Sequence, residues 1–138
     1  MNTEQNKSTY RSFIQQVFNE GRLDALDEFL APSYVIRDAP PGTPLGAEGV
    51  KQVVSMFRGA FPDLEITLDD LIAEGDKVAA RSTLRGTHRG TLFGIAATGK
   101  PVSMTSLTLV CIVDGRLVES WVKNDVTSLM NQLGANAR

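Results

Sequence analysis

The chain predicts an α+β fold: a strongly curved antiparallel or mixed sheet packed against about three helices that come first in the sequence. Three observations carry this prediction. Apolar residues recur at helical spacing up to Phe61, the period changes from helical to extended after Leu64, and Asp114-Gly115 joins two β-branched runs. A curved sheet covered by helices on one side leaves a cone with an open mouth, and a small molecule would sit in that cone.

The elements follow in order. From about Glu4 to Asn19, the residues Tyr10, Phe13, Ile14, Val17 and Phe18 form one stripe of an amphipathic helix, and Gly21 is a plausible left-handed cap. A shorter helix spans roughly Leu23 to Leu30 and is ended by Pro32. Tyr34 to Arg37 reads as a short strand, and the breakers Pro40, Pro41, Gly42 and Pro44 mark Asp38 to Gly46 as a loop. A third helix runs from about Ala47 to Phe61, with Val50, Val53, Val54, Phe57 and Phe61 at helical spacing. Glu65–Glu74 and Val78–His88 are strands around a Gly75-Asp76 turn. A Gly-rich loop, Gly90 to Gly99, leads to a strand from Val102 to Val113, and the hairpin partner runs to Asp125. A helical stub, about Val126 to Leu133, precedes a polar tail from Gly134 to Arg138. All 138 residues are expected to form one domain.

Composition narrows the function classes. A net charge of -2 gives no basic field for a phosphate backbone, so nucleic acid is not an expected partner. No apolar run has the length of a membrane-spanning helix, so no membrane partner is expected, and with no apolar leader the default location is the cytoplasm. One histidine and one cysteine make no constellation for a zinc site, and no metal is expected. Cys111, inside Leu-Val-Cys-Ile-Val, reads as a small buried hydrophobe. Gly94 to Lys100 matches seven positions of a phosphate-binding loop, but Pro101 replaces the hydroxyl residue and a strand follows where a helix is needed. It is a loop, with Gly90, Gly94 and Gly99 as hinges if it serves as a lid.

Several residues could carry chemistry. Alternation puts Glu119, Trp121, Lys123 and Asp125 on one face of their strand and Val118, Ser120, Val122 and Asn124 on the other. A Trp, a Lys and an Asp crowded together suggest a pocket wall, with Trp121 packing on a flat ligand. Asp125 has two readings, a cap of the last helix or a buried carboxylate that moves protons. His88, the only imidazole, is a strand-end hydrogen-bonding residue or a proton shuttle at the cone mouth. Arg37 and Asp38 pair with each other or with the loop, or Arg37 offers a fixed cation to a ligand oxygen. Tyr34, Phe57, Phe61, Phe93 and Met104 are apolar lining or core.

With these elements laid out, the chain resembles the SnoaL-like polyketide cyclases, a branch of the nuclear transport factor 2-like superfamily of cone folds. The carrying stretches are Phe18 to Asp24, Pro32 to Asp38, Phe57 to Leu64, Glu74 to Arg81, Gly86 to Gly90, and Asp114 to Trp121 with Asp125. The resemblance covers nearly the whole chain. It implies an enzyme that needs no cofactor and closes a ring by intramolecular aldol chemistry, or isomerises a related carbonyl compound, with a homodimeric assembly. By motif, the general acid/base is Asp125; beside it, His88 and Arg37 are expected to orient or stabilise the developing enolate oxygen. Asp38, Trp121, Lys123, Tyr34, Phe57, Phe61 and Met104 complete the expected substrate-binding set. The chain departs from the family pattern at two places, with Arg37 and Ser120 where histidines are usual. Two alternatives stand beside cyclisation: a non-catalytic binder of small ligands, and a diverged hydroxylase-type relative.

Overall fold

The computed structural model describes residues 2–134. Five strands form one sheet in the order β1-β5-β4-β3-β2, with β1 parallel to β5 and every other pair antiparallel. The strands are β1 (Leu30–Ile36), β2 (Glu65–Glu74), β3 (Lys77–Thr87), β4 (Pro101–Val113) and β5 (Arg116–Asn124). The helices are α1 (Thr3–Phe13), α2 (Leu26–Phe29), α3 (Ala47–Ala60) and α4 (Val126–Gln132). The polar tail expected after Gly134 lies outside the described residues.

The sheet curves where its ladders slip. Register shifts fall between Leu68 and Asp70 on β2 and between Cys111 and Ile112 on β4, and such bulges bend a strand and increase its twist. The β4–β5 hairpin closes as its sequence requires: Asp114 and Gly115 take φ of 51° and 78°, the pair of positive values that a tight primed turn needs.

Two helical expectations are corrected. The first helix is α-helical only to Phe13 and widens to a π-helix over Ile14–Asn19, and Gly21 at φ 72° then reverses the chain. The second is reduced to a 3₁₀ turn at Leu23–Ala25 and the four residues of α2. Leu30 already belongs to β1, where it pairs with Leu117, so tertiary pairing overrides local helix propensity. Pro32 sits inside this strand rather than before it. Because β1 has β5 as its only neighbour, the missing N–H leaves no inner ladder bond unmade.

Asn19 explains why the π-turn ends where it does. Its Nδ2 donates to the Ile66 carbonyl at 3.0 Å and its Oδ1 accepts from the Ile66 N–H at 2.7 Å, so one side chain imitates a neighbouring strand along the open edge of β2. Arg58 of α3 donates to the Phe18 and Asn19 carbonyls, each at 2.9 Å, and satisfies the helix end. Asn19→Ala is expected to lower stability by about 1–3 kcal/mol, since it strands two partly buried backbone groups. Urea denaturation measures this, and a loss below about 0.5 kcal/mol would show that water replaces the amide.

Two apolar clusters fill the space under the helices. One gathers Phe13, Val17, Leu26 and Phe29 against Val78, Val110 and Ile112. The other gathers Phe57, Phe61, Leu64 and Leu92 against Leu84, Met104 and Leu129.

Candidate functional site: the cavity of the cone

A cavity of about 730 Å³, its mouth included, opens between these clusters. Its helical wall is made by Tyr10, Ile14 and Phe18 from the first helix and its π-turn, with Val53 and Phe57 from α3. The sheet wall comes from alternate residues of four strands: Tyr34 and Ile36 on β1, Ser82 and Leu84 on β3, Met104, Ser106 and Thr108 on β4, and Ser120, Val122 and Asn124 on β5. Exposure grades along the wall. Asn124 is exposed, Ser106, Val122, Ile36 and Val53 are half-buried, and Tyr34, Ser120, Val110 and Leu117 are buried. The mouth therefore lies at the Asn124 end and the blind end at Tyr34 and Ser120.

The polar groups in this wall are neutral. Among the described residues, no Asp, Glu, Lys, Arg or His lines the cavity. At the blind end, the Tyr34 and Ser120 hydroxyls are 2.6 Å apart. At the mouth, Ser106 Oγ donates to Asn124 Oδ1 at 2.5 Å. Burial pushes the Tyr10 hydroxyl up to about 12 against the pull of the Thr108 side chain. Burial likewise raises Tyr34, with Ser120 pulling the other way. Both phenols keep their protons at neutral pH and act as hydrogen-bond donors.

Of the residues expected from sequence, Tyr34, Phe57 and Met104 are on the cavity wall. The others are elsewhere. Trp121 and Lys123 lie on the outer face of the sheet, opposite Leu109 and Leu107, because the helices pack on the Ser120-Val122-Asn124 side. The alternation along β5 is as read, but the pocket belongs to the other face. Phe61 is 0% exposed and belongs to the core beside Phe57, not to the wall. Phe93, weighed as lining or core, is exposed in the Gly90 to Gly99 loop.

Arg37 and Asp38 turn away from the cavity and bind along β5. Arg37 Nε pairs with Glu119 Oε2 at 2.7 Å. Asp38 Oδ1 accepts from the Val122 N–H at 3.0 Å, and Oδ2 lies 3.2 Å from Lys123 Nζ. Burial pulls the Asp38 carboxyl upward, but the Val122 N–H and the Lys123 ammonium outweigh it and hold the group below the usual carboxylate range. Lys123 is thus paired with Asp38.

His88 is also away from the mouth. It is 0% exposed and tilted against Phe61, and its Nδ1 accepts from the Thr98 N–H at 3.2 Å with the Thr98 hydroxyl at 3.0 Å. That acceptor role places the imidazole proton on Nε2, which has no partner among the described residues. The loop it holds is pinned by Gly99 N–H to His88 O and by the Arg89 and Gly90 N–H groups to Ala60 O. None of residues 89–100 lines the cavity.

Asp125 is exposed and caps α4, accepting from the Ser128 N–H at 3.1 Å through Oδ1. Its Oδ2 has no hydrogen-bond partner among the described residues, and it stands one residue beyond Asn124 at the mouth. Asp125 is therefore the cap of one reading, while the buried carboxylate of the other is corrected: the residue is exposed, is absent from the cavity wall and lies near Arg81, Leu107 and Lys123.

The residues that sequence reasoning missed are Tyr10, Ser82, Ser106, Thr108, Ser120 and Asn124. Apart from Tyr10, which is on α1, their signal was hydroxyls and one amide interleaved with apolar residues on one face of three adjacent strands, quieter than the charged row around Trp121. Among the described residues, no three of His, Cys, Asp and Glu come together as a metal-ligating group. No helix among them is long and apolar enough to cross a membrane.

Comparison with known proteins agrees with this architecture. The chain is 32% identical over 120 residues to nogalonic acid methyl ester cyclase of Streptomyces nogalater, an alignment covering 85% of this chain and 89% of that protein. It is 31% identical over 123 residues to aklanonic acid methyl ester cyclase DauD of Streptomyces sp. strain C5, covering 86% and 76%. The solved structure of TsrD from Streptomyces laurentii matches with a TM-score of 0.88 at 33% identity, over 98% of each chain. The family model described as SnoaL-like polyketide cyclase matches residues 8–133, and the chain belongs to that family.

Proposed function

We propose that the protein is an enzyme that closes or rearranges a ring on a neutral, flat, mainly apolar polyketide-type carbonyl compound bound in the cone. The observation that carries this reading is the apolar cavity with hydroxyl donors set into its wall, and the carboxylate of Asp125 follows Asn124 of that wall in the chain. Relatives named as cyclases of nogalonic and aklanonic acid methyl esters support it.

In the aldol version, the Asp125 carboxylate takes a proton from carbon α to a carbonyl. The enolate carbon attacks a second carbonyl of the same molecule, forming a C–C bond as that C=O π bond opens. The resulting alkoxide takes the proton back from the carboxylic acid. Mass and oxidation state are unchanged, so the step balances without a co-reactant. Hydroxyls of the wall stabilise the oxygen that becomes negative. The roles expected for His88 and Arg37 are withdrawn, since neither faces the cavity. A homodimer and a cytoplasmic location belong to the same reading.

One observation favours a non-catalytic binder: the wall itself holds no titratable acid, base or imidazole. The two readings separate on incubation of the purified protein with nogalonic acid methyl ester, followed by liquid chromatography and mass spectrometry. The enzyme gives a product of unchanged mass and new retention time, whereas a binder is stabilised by the ester and converts none of it.

A further inference from the structure

We propose that Tyr34 and Ser120 form a polar anchor at the blind end of the cone, which receives one uncharged oxygen of the ligand, carbonyl or hydroxyl, and turns away an ionised carboxylate. The inference rests on the cone being the ligand site, but not on turnover.

The two hydroxyls come from neighbouring parallel strands, where Ile36 pairs with Ser120. Tyr34 is 4% exposed and Ser120 2%, and their oxygens are 2.6 Å apart. Two hydroxyls carry two protons, and their mutual bond uses one. Neither hydroxyl has another hydrogen-bond partner among the described residues. One buried O–H is therefore left facing an apolar space, a costly arrangement unless a further acceptor arrives. Either hydroxyl can donate to the other, and whichever proton the mutual bond does not use is free for an acceptor in the cavity. The Ser106–Asn124 pair differs, since Asn124 is exposed at the mouth.

The same wall sets the charge preference. An ionised carboxylate entering it would give up hydration and meet no cation among the described residues. A ketone, ester or phenol gives up far less and gains the anchor's hydrogen bond. Burial keeps the Tyr34 proton in place, so this donor is unchanged across neutral pH.

Three naphthalenes of similar shape test the anchor by calorimetry at pH 7: 2-acetylnaphthalene, 2-ethylnaphthalene and 2-naphthoate. The wild type is expected to bind the ketone about tenfold tighter than the hydrocarbon and naphthoate at least about 100-fold weaker than the ketone. In Tyr34→Phe/Ser120→Ala, ketone and hydrocarbon should bind within about twofold of each other, with hydrocarbon affinity unchanged as the check on folding. Each single variant should fall between, because the remaining hydroxyl still reaches the oxygen. A ketone preference that survives the double variant overturns the proposal. So does naphthoate bound as tightly as the ketone by the wild type, a comparison that needs no variant, and so does failure of the wild type to bind any of the three. Asp125→Asn keeps the ketone preference whether or not the protein catalyses, so failure of the catalytic reading and failure of the anchor give different results.

Discussion

Asp125→Asn is expected to lower turnover by about 10²- to 10⁴-fold while leaving the fold in place. The substitution discriminates because it separates the cap of α4 from the proton transfer proposed for the same side chain. As the cap of α4 it accepts from the Ser128 N–H, and Asn caps a helix about as well as Asp. What Asn cannot do is take a proton from carbon. The loss of stability should stay below about 1 kcal/mol, reflecting the lost charge at a helix N-terminus. Asp125→Ala, by contrast, should lose turnover and also about 1 kcal/mol, since it removes the cap. Single-turnover kinetics beside urea denaturation separate the two effects. If the Asn variant keeps half or more of wild-type turnover, Asp125 is a cap alone.

Phe61→Ala should cost about 3–5 kcal/mol of stability. The ring is 0% exposed, stacks on Phe57 with centroids 6.5 Å apart, and tilts against His88 at 6.0 Å. The backbone below it cannot move up to fill the hole, because Gly86 already lies so close that a Cβ there would stand 2.6 Å from Phe61 Cβ. The cavity term of the loss should therefore be felt nearly in full, a large share of the roughly 5–15 kcal/mol that holds a domain together. Guanidinium or thermal unfolding measures it, and a loss below about 1 kcal/mol would mean that the second cluster collapses around the gap. Because Phe61 is not on the cavity wall, ligand affinity of the folded variant should be unchanged, which distinguishes a core residue from the substrate-binding residue expected beside the resemblance.

Much of this fold was legible in the sequence because its signals are local. The stripe from Tyr10 to Val17 and the run from Val50 to Phe57 have helical period and do bury those faces. Asp114-Gly115 can take two positive φ values in succession where most residue pairs cannot, and it makes the hairpin turn. The β2, β3 and β4 strands follow from period-two patterning to within about one residue at each end. Leu23–Leu30 misled because its apolar residues fit a helix locally, while the gain from pairing Leu30 with Leu117 exists only once β5 is beside it.

The sequence by itself determined the class of the fold, the strands β2 to β5, the hairpin turn and the alternation of β5. Only the tertiary structure decided which side of that alternation is inside. A strand reads the same from both faces, so the period separates Ser120, Val122 and Asn124 from Trp121 and Lys123 without saying which set meets the helices. That choice depends on where α1 and α3 cross the sheet, a relation between segments far apart in the chain. It turned a row with a Trp and a Lys outward, where Lys123 meets Asp38, and it placed a quieter row of Ser, Val and Asn in the cavity. The charged residues went to water because an ion loses much of its hydration energy on burial, while a paired hydroxyl loses little.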